Sequence, residues 1–99
     1  MNRVYSLKDI SDSLMPIFDS YHIRKAVLFG SYSKGDATES SDIDLLVDSG
    51  LKGLRFVGLI EDIRRAVGKE VDVLDVTHIE GNSIIEKEIK DSGVIIYEG

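Results

Sequence analysis

Val27-Leu28-Phe29-Gly30-Ser31-Tyr32-Ser33-Lys34-Gly35-Asp36, then Ser41-Asp42-Ile43-Asp44-Leu45-Leu46-Val47, is the stretch whose reading decides the fold. Ala26 to Phe29 is a short apolar run that stops abruptly at Gly30-Ser31, as a buried strand does when it feeds a tight turn. Glycine has no Cβ, so the backbone at that turn can approach a ligand closely. The Ser31 hydroxyl and the free N–H groups of such a turn can donate to phosphate oxygens, and Lys34 could add a positive charge within one helical turn. Ten residues separate Ser31 from Asp42. From there Ile43, Leu45 and Val47 alternate with Asp42 and Asp44, a period of two that predicts a strand. Residues i and i+2 of a strand share a face, so the two carboxylates should stand about 6–7 Å apart at their Cα atoms. Two like charges so placed raise each other's pKa, and a hard dication with oxygen ligands relieves the conflict.

Glu70-Val71-Asp72-Val73-Leu74-Asp75-Val76 predicts a further strand, with Val71, Val73 and Val76 as its apolar members. If it pairs beside the Asp42 strand, Asp72 or Asp75 could complete a carboxylate triad. Asp72 lies on the face opposite Val71 and Val73, where it can point towards a metal. Two carboxylates holding two metals, with a third on the neighbouring strand, suits in-line phosphoryl or nucleotidyl transfer.

These residues resemble the nucleotidyltransferase superfamily, and most of all its small stand-alone branch, the minimal nucleotidyltransferases. The branch is marked by Gly-Ser, ten residues, Asp-x-Asp, and Gly30, Ser31, Asp42 and Asp44 match that spacing without a gap. Val71-Asp72-Val73 falls where the family carries its third carboxylate, and the resemblance runs from about Leu7 to Tyr97. Lys34 stands where many relatives have arginine, which keeps the charge and loses the bidentate fork. Asp75 has no role in the resemblance and reads as a surface residue.

The resemblance implies an α/β single domain over residues 1–99, a mixed β-sheet with helices packed mainly on one face. It implies ATP as donor, held by Gly30, Ser31 and Lys34. It also implies magnesium bound by Asp42, Asp44 and Asp72, with Asp72 helping to deprotonate the acceptor hydroxyl. The stand-alone branch is similar to antitoxins of two-gene modules, whose partner is a HEPN-domain ribonuclease toxin that receives AMP on a tyrosine. Two alternatives stay open. One is a non-catalytic antitoxin that occludes its partner through an apolar patch around Leu54, Phe56 and Val57. The other is one subunit of a split small-molecule nucleotidyltransferase.

Composition narrows the classes. Ninety-nine residues allow one domain and one modest core. A net charge of −6, from 12 Lys+Arg against 18 Asp+Glu, disfavours a long polyanion as partner. It does not disfavour ATP, whose charge metal can meet. With no cysteine there is no disulfide and no thiol chemistry, which fits a reducing cytoplasm. Lys8, Asp9 and Asp12 interrupt what would be the apolar part of a signal peptide, and no apolar run reaches membrane length.

The rest reads as scaffold. Ser6 and Asp9 predict a capped first helix with Leu7, Ile10, Leu14, Ile17 and Phe18 on one face, bent or shortened by Pro16. A second helix is expected from Leu54 to Val67, with Leu59, Ile60, Ile63 and Val67 inward and Gly68 as its stop. A third is expected from Asn82 to Asp91, stopped by Gly93, and a last strand from Val94 to Tyr97. His22 and His78 lack partners at metal-ligand spacing and read as turn or surface residues. Arg64-Arg65 reads as a solvated helix face.

Overall fold

Local signals account for most elements of the computed structural model, which describes residues 6–30, 42–79 and 83–99. Helix α1 (Leu7–Ser20) opens on a complete capping box: the Ser6 hydroxyl accepts from the Asp9 N–H at 3.0 Å, and the Asp9 carboxylate accepts from the Ser6 N–H. Strands β1 (Lys25–Phe29) and β2 (Ile43–Asp48) follow, then helix α2 (Leu54–Val67) and strand β3 (Val71–Asp75). A 3-10 turn (Val76–His78), helix α3 (Ser83–Ser92) and strand β4 (Val94–Glu98) complete the order. Helix α2 has the bounds its periodicity predicts, and Gly68 closes it in the left-handed region with its N–H on the Arg64 carbonyl.

Pro16 does not shorten α1. The helix runs unbroken for four residues past it. Pro16 is exposed, so the carbonyl its ring leaves unpaired can face water, while buried Leu14 and Phe18 hold both halves on the core.

The four strands form one mixed sheet in the order β3-β2-β1-β4. Strand β1 is antiparallel to both β2 and β4, and β2 is parallel to β3. Alternation sorts the side chains into two layers. Ala26, Leu28, Ile43, Leu45, Val47 and Val71 face α1 and α2 and build the main core with Ile10, Leu14, Phe18, Leu59, Ile63 and Val67. The opposite face carries a smaller cluster of Val27, Phe29 and Leu46, against which Leu74, Ile79 and Ile89 of α3 pack. Two of the three described helices thus cover one face and α3 lies on the other, the mainly one-sided arrangement expected. A register shift between Ala26 and Val27 leaves Ile96 as an extra residue in β4, and the Ser11 hydroxyl donates to its carbonyl at 3.1 Å.

Strand β3 is shorter than the sequence suggests. It ends at Asp75, and Val76 turns outward, 38% exposed, into the 3-10 turn. His22 sits exposed in a turn with φ +56°, as its reading as a turn residue requires. Arg64 donates to Glu61 at 3.2 Å and to Glu70 at 2.5 Å, so this part of α2 is an ion-paired surface. No described helix is long and apolar enough to cross a membrane.

Candidate active site

The carboxylates gather on the sheet face that α3 only partly covers. Asp44 shares that face of β2 with Leu46, while Ile43 and Leu45 point into the main core. Asp42 stands exposed one residue ahead of the strand. The parallel pairing brings β3 alongside so that Asp44 and Asp72 are register partners. Asp72 is exposed and belongs to the face opposite buried Val71, as the alternation requires.

Across the other side of β2, Asp44 is the register partner of Phe29, and Gly30 follows directly. Gly30 has φ +77°, a conformation that costs any residue with a Cβ. A Cβ there would also overlap the Asp44 carboxylate oxygen. Gly30 is therefore required twice over, by its backbone and by the carboxylate lying against it. Ser31 and Lys34, the other two expected nucleotide contacts, lie outside the described residues.

Electrostatics single out Asp44, whose pKa is pushed up to about 6. Burial is the largest cause, followed by the charges of Asp72, Glu88 and Asp42 and a hydrogen bond with Asp72. The repulsion expected within Asp-x-Asp is present but ranks below burial and the cross-strand neighbour. Glu88 of α3 is the group that reading the sequence missed. Its place follows from the next residue, Ile89, which packs on the Val27–Phe29–Leu46 cluster and so brings Glu88 near enough for its charge to act on Asp44. Nothing local marks Glu88 out from the other charged residues of α3. With Ile84, Lys87, Asp91 and Ser92 it lines a hollow of about 440 Å³ along α3.

Asp75 is not a surface residue. It is 4% exposed, on the main-core side of β3. One of its oxygens accepts from the Ser49 N–H at 3.1 Å and the Ser49 hydroxyl at 2.6 Å. The other accepts from the Thr77 N–H at 3.1 Å and the Thr77 hydroxyl at 2.9 Å. Burial pushes its pKa up, but these hydrogen bonds outweigh that and hold it below the ordinary carboxylate value. Strict alternation from Val71 through Val73 would have put Asp75 on the buried face.

The donor set suits a hard cation: every acidic group around Asp44 offers oxygen only. Among the described residues no three acidic or histidine side chains close a cage of their own. Magnesium is commonly held by one or two carboxylates together with substrate phosphates, so a site open on one side fits it. Repulsion around Asp44 is the feature a dication would relieve.

Residues 12–99 match the family model described as polymerase beta, nucleotidyltransferase. A Methanocaldococcus jannaschii protein with the provisional name protein adenylyltransferase is 36% identical over 76 residues, covering 75% of this chain and 82% of its own. The protein adenylyltransferase MntA of Thermococcus cleftensis is 36% identical over 58 residues, 57% of this chain and 59% of that one. Among solved structures, a chain from a toxin–antitoxin complex with AMP-PNP superposes with a TM-score of 0.74 at 20% identity, covering 90% of this chain and 73% of its own. A chain from the complex of a tri-AMPylated Shewanella oneidensis HEPN toxin with an MNT antitoxin gives 0.69 at 18% identity, covering 94% and 73%. At such identities these two superpositions speak for the fold.

Proposed function

The chain belongs to the polymerase beta-type nucleotidyltransferase family, and from that premise we propose that it moves AMP from ATP to a hydroxyl, a tyrosine, of a HEPN-domain toxin and so acts as its antitoxin. The observation that carries this is the in-register pair Asp44–Asp72 with Gly30 against it, a turn and two carboxylates held within one site. The relatives' names supply the reaction class, and the solved complexes of similar fold supply the kind of partner.

In this reading Gly30 and Ser31 receive the triphosphate, with Lys34 adding a positive charge. Asp42, Asp44 and Asp72 would hold magnesium, which when bound neutralises phosphate charge and the developing negative charge at phosphorus. Asp72 takes the proton of the acceptor hydroxyl. The freed oxygen forms its bond to the α-phosphorus as the bond from that phosphorus to the bridging oxygen breaks. Pyrophosphate leaves with the electron pair. The net charge of −6 disfavours an RNA acceptor, since polyanions need many neutralising cations.

A binding-only antitoxin draws support from Leu54 and Val57, which are 88% and 53% exposed at the start of α2. Phe56 does not belong to that patch, because it packs against the main core.

Intact mass spectrometry of the HEPN partner, after incubation with this protein, ATP and magnesium, separates the readings. One or more added AMP masses, absent with an Asp42→Asn/Asp44→Asn variant, are expected. A stable complex with no added mass would overturn the transferase reading in favour of occlusion.

A further inference from the structure

Strand β3 has a problem that its own sequence must solve. It is five residues long, and among the described strands it pairs with β2 alone. Its pairing sets Asp72 directly beside Asp44, two like charges that push the strands apart. Only Val71 of its apolar residues is fully buried; Val73 and Leu74 are half-buried. A slip of one residue is opposed, because it would turn Asp72 into the helix-covered core, but a slip of two keeps every side chain on its face and sets Glu70 or Leu74 beside Asp44 in place of Asp72. Alternation therefore does not by itself fix the register here.

The ends of the strand hold it instead. At the start, the Ile43 N–H donates to the Glu70 carbonyl at 3.2 Å. At the finish, Asp75 grips Ser49, the residue that follows β2, and Thr77, the residue that turns the chain out of the sheet. Asp75 is one of two buried polar residues among those described, and the other is its partner Ser49. A buried carboxylate is tolerated only when its oxygens are satisfied, so this contact is lost as a whole if the strand slips.

We infer that Asp75 is a positioning residue: by clamping the end of β3 to Ser49 and Thr77 it fixes the register that sets Asp72 beside Asp44. The inference rests on the proposed role of Asp72 at the metal. Asp75 lies on the main-core face of β3, opposite the face that carries Asp72, and acts through the strand. Asparagine at position 75 would keep the shape but present an NH2 group to Ser49 or to Thr77, where a donor is already present.

The test is Mn2+ binding read by electron paramagnetic resonance in the presence of AMP-PNP, beside amide hydrogen exchange at Leu74, whose N–H the register turns towards β2. Four variants are compared with wild type: Asp75→Asn, Thr77→Ala, Ser49→Ala and Asp72→Asn. In Asp75→Asn we expect Mn2+ affinity to fall about 10-fold in the folded fraction, the loss typical of a group that orients a ligand, with faster exchange at the Leu74 amide. Thr77→Ala and Ser49→Ala each remove one hydrogen bond to Asp75, the second also the bond that the Ser49 hydroxyl accepts from the Leu51 N–H, and both should weaken Mn2+ by about 2–3-fold. They carry the test if Asp75→Asn does not fold. Folded variants that bind Mn2+ like wild type would overturn the inference, whatever their melting temperatures. A wild-type protein that binds no Mn2+, or an Asp72→Asn variant that binds it normally, would instead overturn the role of Asp72 on which it stands; the exchange at Leu74 still reports the clamp by itself.

Discussion

Asp44 and Asp72 face each other as register partners across the parallel pair β2–β3, and their mutual repulsion is part of what pushes the Asp44 pKa up to about 6. The metal-free protein therefore holds a strained electrostatic arrangement at the place where the chemistry is proposed. Sites of this kind trade stability for function.

Asp72→Asn should remove one of the two charges and leave the strand geometry intact. Without metal we expect a melting temperature about 2–4 °C above wild type, together with loss of the thermal stabilisation that ATP and magnesium give wild type. Scanning calorimetry with EDTA and then with Mg–ATP checks both. A variant less stable than wild type in EDTA would remove the repulsion argument.

The raised Asp44 pKa also fixes a sign for pH dependence. Between its unfolded value near 4 and its folded value of about 6, the folded state binds more protons than the unfolded state. This group's contribution to metal-free stability therefore falls as pH rises through that window and stays low above it. Burial and the charges of Asp72, Glu88 and Asp42 are the causes. Compared with Asp44→Asn, wild type should be equally stable near pH 4. At pH 7 it should be less stable by on the order of 1 kcal/mol, once solvent screening of a half-buried carboxyl is allowed for. Asp75 works in the opposite direction, its contribution being lost as pH falls below the ordinary carboxylate value. Urea titrations from pH 3.5 to 8 on both proteins read the difference directly.

Gly30→Ala meets two obstacles, the positive φ and the Asp44 carboxylate. The backbone alone should cost about 1–2 kcal/mol. The overlap adds to that and displaces Asp44, so Mg–ATP binding should be lost. Repeating the substitution in an Asp44→Ala background separates the terms: the cost should drop towards the backbone value if the carboxylate is the second obstacle. Equal costs in both backgrounds would mean that the overlap is absorbed elsewhere.

Phe18 is fully buried between α1 and the sheet, with its ring centroid 5.2 Å from that of Tyr97 in β4. Phe18→Ala should cost about 3–5 kcal/mol through the cavity it leaves, a large share of what a domain of this size holds. Urea denaturation with an unchanged m-value would identify it as a packing loss. A cost below about 1 kcal/mol would mean that α1 or β4 collapses into the space.

Much of this was legible in the sequence, for a physical reason. Capping at Ser6, the periodicity of α1 and α2 and the alternation through β2 are local, set by residues a few positions apart. So are the Gly30-Ser31 pair and the Asp42-x-Asp44 spacing, which carry the family resemblance through residue order alone. Tertiary structure decided the rest. That Asp44 meets Asp72 depends on β3 crossing over to lie parallel to β2, a pairing between residues 28 positions apart that no local pattern encodes. The nearness of Glu88 depends on Ile89 finding the small cluster on the far face of the sheet. Alternation puts Asp75 on the buried face, but the hydrogen bonds that satisfy it there depend on Ser49, 26 positions away, meeting the end of the strand. Carboxylates look alike in a sequence; whether one repels, clamps or lies in water is set by what the fold brings to its oxygens.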